Sequence, residues 1–201
     1  MRLAAWLLAG ALGVLTAGGA LAGVKVGVET KTYSINGRTG EELIRSMDRR
    51  GPRHGFMARA IAQTRYVVGW EFEWAMQGKT CRLGQALGTL DVTYSYPKLT
   101  GKASKDLKRR WDRFLVGVYA HEEMHGKIAR DMVRAADKSL KGLAVRNDRN
   151  CRKAAAEAKR RVEKVYAVYE ARQAEFDRKE HKDGGNVENM LRGLAGLKRR
   201  Q

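Results

Sequence analysis

Val24, Val26 and Val28 alternate with Lys25, Gly27 and Glu29, a period of two that predicts a half-buried strand. Asn36-Gly37 is a turn signal, and Thr39-Gly40-Glu41-Glu42 has the form of a capping box. The helix it opens carries Leu43, Ile44 and Met47 on its inner side and stops at Gly51-Pro52. Tyr66, Val68, Trp70, Phe72 and Trp74 share one face of a second strand, with Arg65, Glu71 and Glu73 on the other. That aromatic row reads as core. A third alternation, Leu90, Val92, Tyr94 and Tyr96, ends at Pro97. Residues 24–96 therefore predict a small antiparallel sheet with one helix against it.

From Ser104 the period becomes helical. Leu107, Trp111, Leu115, Val118, His125, Ile128 and Met132 fall on one stripe, and Gly142 is the expected terminator. Asp148 is the candidate cap of the next helix, whose inner stripe reads Cys151, Ala155, Ala158, Val162, Val165, Tyr169 and Phe176. A connection of about five residues predicts that the two helices run antiparallel. The fold class is α+β: a small antiparallel sheet with one helix, followed by two long helices. Gly184-Gly185 then breaks the chain before a basic tail that completes residues 184–201. In that tail Val187, Met190, Leu191, Leu194 and Leu197 line one face of a short helix, with Lys198, Arg199 and Arg200 at its end. Packing against the main domain and attachment to an anionic envelope surface are its two readings.

The length of 201 residues fits one domain with a tail, and 43% hydrophobic residues with two prolines supply a core rather than wholesale disorder. Forty Lys+Arg against 22 Asp+Glu give a net charge of +18, which points to an anionic partner. The N-terminus changes which partners are in reach. Arg2, the apolar stretch Leu3 to Leu15 and the small-x-small site Ala20-Leu21-Ala22 form an export signal, with cleavage before Gly23. Only Arg2 is lost with it, so the mature chain stays strongly basic. The expected location is periplasmic or secreted. Nucleic acid ranks last among partners, because export removes the usual target and no recognition motif is present. Cys81 and Cys151 are an even pair in an oxidising compartment and are expected to form a disulfide.

The chemistry sits at His121-Glu122-Glu123-Met124-His125, an H-E-x-x-H. On a helix, positions i and i+4 share a face, so both imidazoles reach one metal ion. Zn²⁺ takes nitrogen ligands and keeps an open position for water in catalytic sites. Glu122, the next residue, is placed to accept the proton of that water as general base. With four His in the chain, roughly 0.005 such matches arise by chance at this composition. The third ligand is less defined. Ile128 stands where a turn would be needed, so Asp131 points off the face. Hairpin geometry puts Val165 and Tyr169 opposite the His pair, with Glu163 and Glu170 nearby. His181, beside Asp177 and Glu180, is the other candidate.

The chain resembles DUF922, a family of bacterial exported proteins described as predicted zinc-dependent proteases. The likeness runs through Tyr33…Gly37, Gly51-Pro52, Thr64…Trp70…Trp74, Cys81 and Tyr96-Pro97. It continues through Trp111, His121-Glu122…His125, Cys151 and Phe176-Asp177…His181. The resemblance implies a zincin-like metalloprotease-type domain over residues 23–183, with zinc held by His121, His125 and a late His that maps best to His181. The family usually shows an aromatic-Asp followed by Thr and His-Gly, whereas Glu180-His181-Lys182 stands here. The expected function is an exported zinc-dependent metallopeptidase acting on a peptide or protein substrate, with Glu122 as base. A non-catalytic basic envelope-binding metalloprotein, or a hydrolase of a cell-wall amide, are the alternatives.

Overall fold

A computed structural model describes residues 23–54 and 58–198, so the export signal expected at 1–22 lies outside the described residues. Among the described residues, six strands and four helices follow one another as β1 (Val24–Ile35), α1 (Gly40–Arg50), β2 (Arg53–His54), β3 (Ala58–Arg59), β4 (Gln63–Gln77), β5 (Thr80–Leu99), α2 (Lys105–Leu140), β6 (Ala144–Arg146), α3 (Arg152–Glu180) and α4 (Asn186–Ala195). The α+β class holds.

The sheet is mixed rather than antiparallel. β5 is central, pairing antiparallel with β4 on one side and parallel with β1 on the other. Between β1 and β5 the chain passes through α1 and the whole of β4, which is long enough to bring β5 back in the direction of β1. The valine alternation of β1 is also less buried than its pattern predicts: Val26 is 45% and Val28 is 59% exposed. β1 is an edge strand that joins the core at its two ends, through Val24 and through Tyr33 and Ile35. β5 runs on past Pro97, which pairs with Tyr33 of β1. β4 begins opposite Ser95, so β5 has no β4 partner at Pro97. Trp70, Phe72 and Trp74 pack in a row on the core, as their spacing requires.

The caps follow the sequence closely. The Thr39 side chain accepts from Glu42 N at 3.2 Å, and the Glu42 carboxylate reaches back to Arg38 N at 2.6 Å. Ser104 Oγ caps α2 by accepting from Leu107 N at 3.1 Å, and Gly142 follows its end with a positive φ. The connection to α3 differs from the short loop expected. Residues 141–151 include β6, which pairs with β5, and Cys151 itself is the N-cap in a left-handed conformation. Asp148 is buried and accepts from Ala154 N at 2.8 Å, so it supports the helix start from one turn further back. The starting phase moves accordingly: Ala154, not Ala155, is buried, and the stripe then continues through Ala158 and Val162.

Cys81 and Cys151 form a disulfide, with Cα atoms 5.3 Å apart. It ties the start of α3 to β5, so the first turns of α3 overhang the end of α2 and pack on the β4–β5 end of the sheet. α2 and α3 are antiparallel, but the overhang shifts their register by about two helical turns from simple hairpin pairing. α4 packs on α1 and α2. Leu194 is 0% exposed, the Leu194 carbonyl accepts from Arg110 Nη1, and a Cβ at Gly40 would run into the Leu194 backbone. No described helix is long and apolar enough to cross a membrane.

Candidate metal centre

His121 and His125 lie on successive turns of α2, in the stretch that passes beneath the start of β4 and alongside the C-terminal half of α3. The two-turn register shift puts Gln173, Phe176, Asp177 and Glu180 opposite them in place of Val165 and Tyr169. Phe176 packs between the imidazoles, with ring centroids 4.9 Å from His121 and 5.1 Å from His125. Three ligand-type atoms converge. His125 Nε2 is 3.2 Å from His121 Nε2 and 2.9 Å from Asp177 Oδ1, and His121 Nε2 is 3.5 Å from that same oxygen. His181 joins from the C-cap of α3, its ligand atom lying within 4.8 Å of those of His121 and Asp177.

These separations can be tested against a metal. Four ligands at roughly 2.0–2.1 Å in a tetrahedron stand about 3.3 Å apart, and the three measured edges fall on either side of that figure. The donor set of two imidazoles and a carboxylate fits a divalent cation. The late His, four residues after Asp177, reaches the edge of the cluster from the C-cap of α3. Asp177 stands closer still. Glu163 and Glu170 do not take part: Glu163 is exposed and paired with Lys159 at 3.7 Å, and Glu170 is exposed.

Glu122 is 6% exposed and faces Thr64 at the start of β4. Thr64 Oγ1 donates to Glu122 Oε2 at 2.6 Å and lies 3.0 Å from the Glu122 carbonyl oxygen. Burial pushes the Glu122 carboxyl up from its ordinary value, and the Thr64 hydrogen bond and the nearby His125 only partly offset this. His121 moves down, first through burial and then through the neighbouring His125. Both His residues, Glu122, Thr64, Asp177 and His181 line a single cavity of about 800 Å³. Its far wall is apolar, built by Phe114 and Val118 of α2 and by Val187, Met190 and Leu191 of α4.

Gly126, next to His125, lets Tyr94 pack against α2, since a Cβ there would collide with the Tyr94 hydroxyl. A family model described as "Bacterial protein of unknown function (DUF922)" matches residues 30–185. The chain belongs to the DUF922 family. No curated protein and no solved structure matches it. The DUF922 match spans every residue of the cluster, from Thr64 to His181, and ends before α4.

The roles of two residues of the site escaped the sequence. Thr64 counts toward the family likeness, but nothing marks its role, because a Thr at a strand start has many ordinary uses. Gln173 did leave one: Gln173, Asp177 and His181 are spaced four apart, which puts all three on one face of α3.

Proposed function

We propose that this DUF922 protein is an exported zinc-dependent metallopeptidase in which Glu122 is the general base. The observation that carries the reading is a desolvated carboxylate in the same cavity as a tetrahedrally spaced pair of imidazoles and an aspartate. His121, His125 and Asp177 would hold the ion, with His181 at its edge. Bound there, Zn²⁺ would act as a Lewis acid toward a carbonyl and make water acidic near neutral pH.

The remaining work falls to the chain itself. Glu122 takes a proton, and its raised affinity for one suits a base that must later give it up to a departing amine. The Thr64 hydroxyl holds the acceptor oxygen in a fixed rotamer while that proton moves. The apolar wall from α2 and α4 excludes water from one side of the cavity and offers a surface to a substrate side chain. The Cys81–Cys151 disulfide supports export to a periplasmic or secreted location, where such bonds persist.

The test is hydrolysis of a peptide library by the mature protein, with and without a zinc chelator. Cleavage that chelation abolishes, that zinc restores and that Glu122→Gln lacks despite normal metal content is the expected result. Cleavage that persists in Glu122→Gln would remove the proposed base. Cleavage of isolated cell-wall material with no cleavage of peptides would move the reading to a cell-wall amide.

A further inference from the structure

Gln173 lies one turn before Asp177 on α3 and makes two hydrogen bonds to one residue of α2. Its Nε2 donates to the His125 carbonyl oxygen at 3.1 Å, and its Oε1 meets His125 Nδ1 at 2.6 Å. A backbone carbonyl only accepts, which fixes the amide with its nitrogen toward the main chain and its oxygen toward the ring. An amide oxygen in turn only accepts, so the proton between them belongs to His125 Nδ1. In the neutral ring the lone pair is then left on Nε2. That atom faces His121 Nε2 and the Asp177 carboxylate. A bare lone pair 2.9 Å from a carboxylate oxygen is a donor set for a cation, because neither atom has a hydrogen to offer the other.

We infer that Gln173 is a positioning residue that fixes His125 as its Nδ1–H tautomer and aims Nε2 at the metal. This role rests on the metal-binding reading above. The other imidazole is held differently. His121 Nδ1 is buried with no hydrogen-bond partner among the described residues, and Glu180 Oε2 is 3.7 Å away. Orientation of the ligand pair through a hydrogen bond therefore falls on Gln173, which also meets the Tyr66 hydroxyl of β4. A partner of this kind typically changes metal affinity by about 10–100-fold when removed.

The experiment measures zinc affinity by chelator competition, together with the ring tautomer from long-range proton–nitrogen NMR of the metal-free protein. It compares the mature wild type with Gln173→Leu and Gln173→Glu, with a thermal melt of each. The wild type should show the Nδ1–H tautomer at His125. Gln173→Leu should lose that preference and bind zinc about 10–100-fold more weakly. Gln173→Glu, whose carboxylate accepts the same ring hydrogen, should recover most of the affinity. Should Gln173→Leu fail to fold, Gln173→Asn shortens the same amide by one methylene and should also weaken binding. A wild-type Nε2–H tautomer, or zinc binding by Gln173→Leu equal to that of a zinc-binding wild type, overturns the Gln173 assignment alone. A wild type that binds no zinc overturns the metal reading and this role with it.

Discussion

Asp177 Oδ1 stands 2.9 Å from His125 Nε2, joining the C-terminal half of α3 to the middle of α2. The contact exists because α3 overhangs the end of α2, and that overhang places Asp177 level with the His pair. Its consequence is a ranking of ligands. Asp177→Ala should weaken zinc binding by about 100-fold or more, since it leaves only two close protein ligands where catalytic sites have three. His181→Ala should weaken it less, and Glu163→Ala and Glu170→Ala should leave it unchanged. Chelator competition on the four variants checks the order, and a loss in Glu170→Ala matching that of Asp177→Ala contradicts it.

Glu122 costs the fold stability in its ionised form. Its carboxyl is raised by burial, so the folded protein holds the proton more tightly than the unfolded chain does. Stability from this group is therefore present below the ordinary carboxylate value and lost as pH rises through the raised one. Glu122→Gln keeps an oxygen for Thr64 and removes the charge. In metal-free protein at neutral pH its melting temperature should rise by about 2–4 °C, roughly 1 kcal/mol at this size. The gain should shrink toward zero by about pH 3, more than a unit below the ordinary glutamate value, where the wild-type carboxyl is protonated in both states. Calorimetry at the two pH values decides it, and a variant that melts lower at neutral pH is the contrary result.

The disulfide closes a sequence separation of 70 residues between β5 and the N-cap of α3. On the chain-entropy estimate its loss costs roughly 4 kcal/mol. The Cys81→Ala/Cys151→Ala double variant should accordingly unfold at markedly lower denaturant concentration. Because α3 would lose its anchor at the overhanging end, zinc affinity should fall as well. Undiminished stability in the double variant would mean that the buried cluster of Leu140, Leu143 and Ala158 holds this end without the bond.

Leu194 of α4 is fully buried between α1 and α2. Leu194→Ala should cost about 2–5 kcal/mol, as truncation of a buried leucine generally does. Urea unfolding measures the loss directly. A change below about 1 kcal/mol would show that α4 detaches readily from the domain, as a segment given over to an anionic envelope surface would.

Much of this was legible in the residues. The cap at Thr39, the aromatic row of β4, the His pair of α2 and most of the apolar face of α4 come from local patterns; Leu197 falls beyond α4 and is 55% exposed, and the disulfide was legible from an even cysteine count rather than from spacing. What escaped depended on long-range register. The alternation of Val24, Val26 and Val28 announces a strand but not its parallel pairing with β5 or its place at the edge. Helix periodicity gave the inner faces of α2 and α3. It could not give their offset, because that depends on β6 and on where the disulfide pins Cys151. The offset alone decides whether Val165 and Tyr169 or Gln173 and Asp177 meet the imidazoles.

The central claim is that His121, His125 and Asp177 hold one metal ion per chain. The most direct measurement is the metal content of the mature protein, purified without chelators or affinity metals and analysed by elemental mass spectrometry. Wild type should carry about one zinc per chain, as a single three-ligand catalytic site would. The His121→Ala/His125→Ala variant should carry almost none while remaining folded. Near-stoichiometric zinc in that double variant, or a wild type that stays metal-free after incubation with excess zinc, contradicts the account.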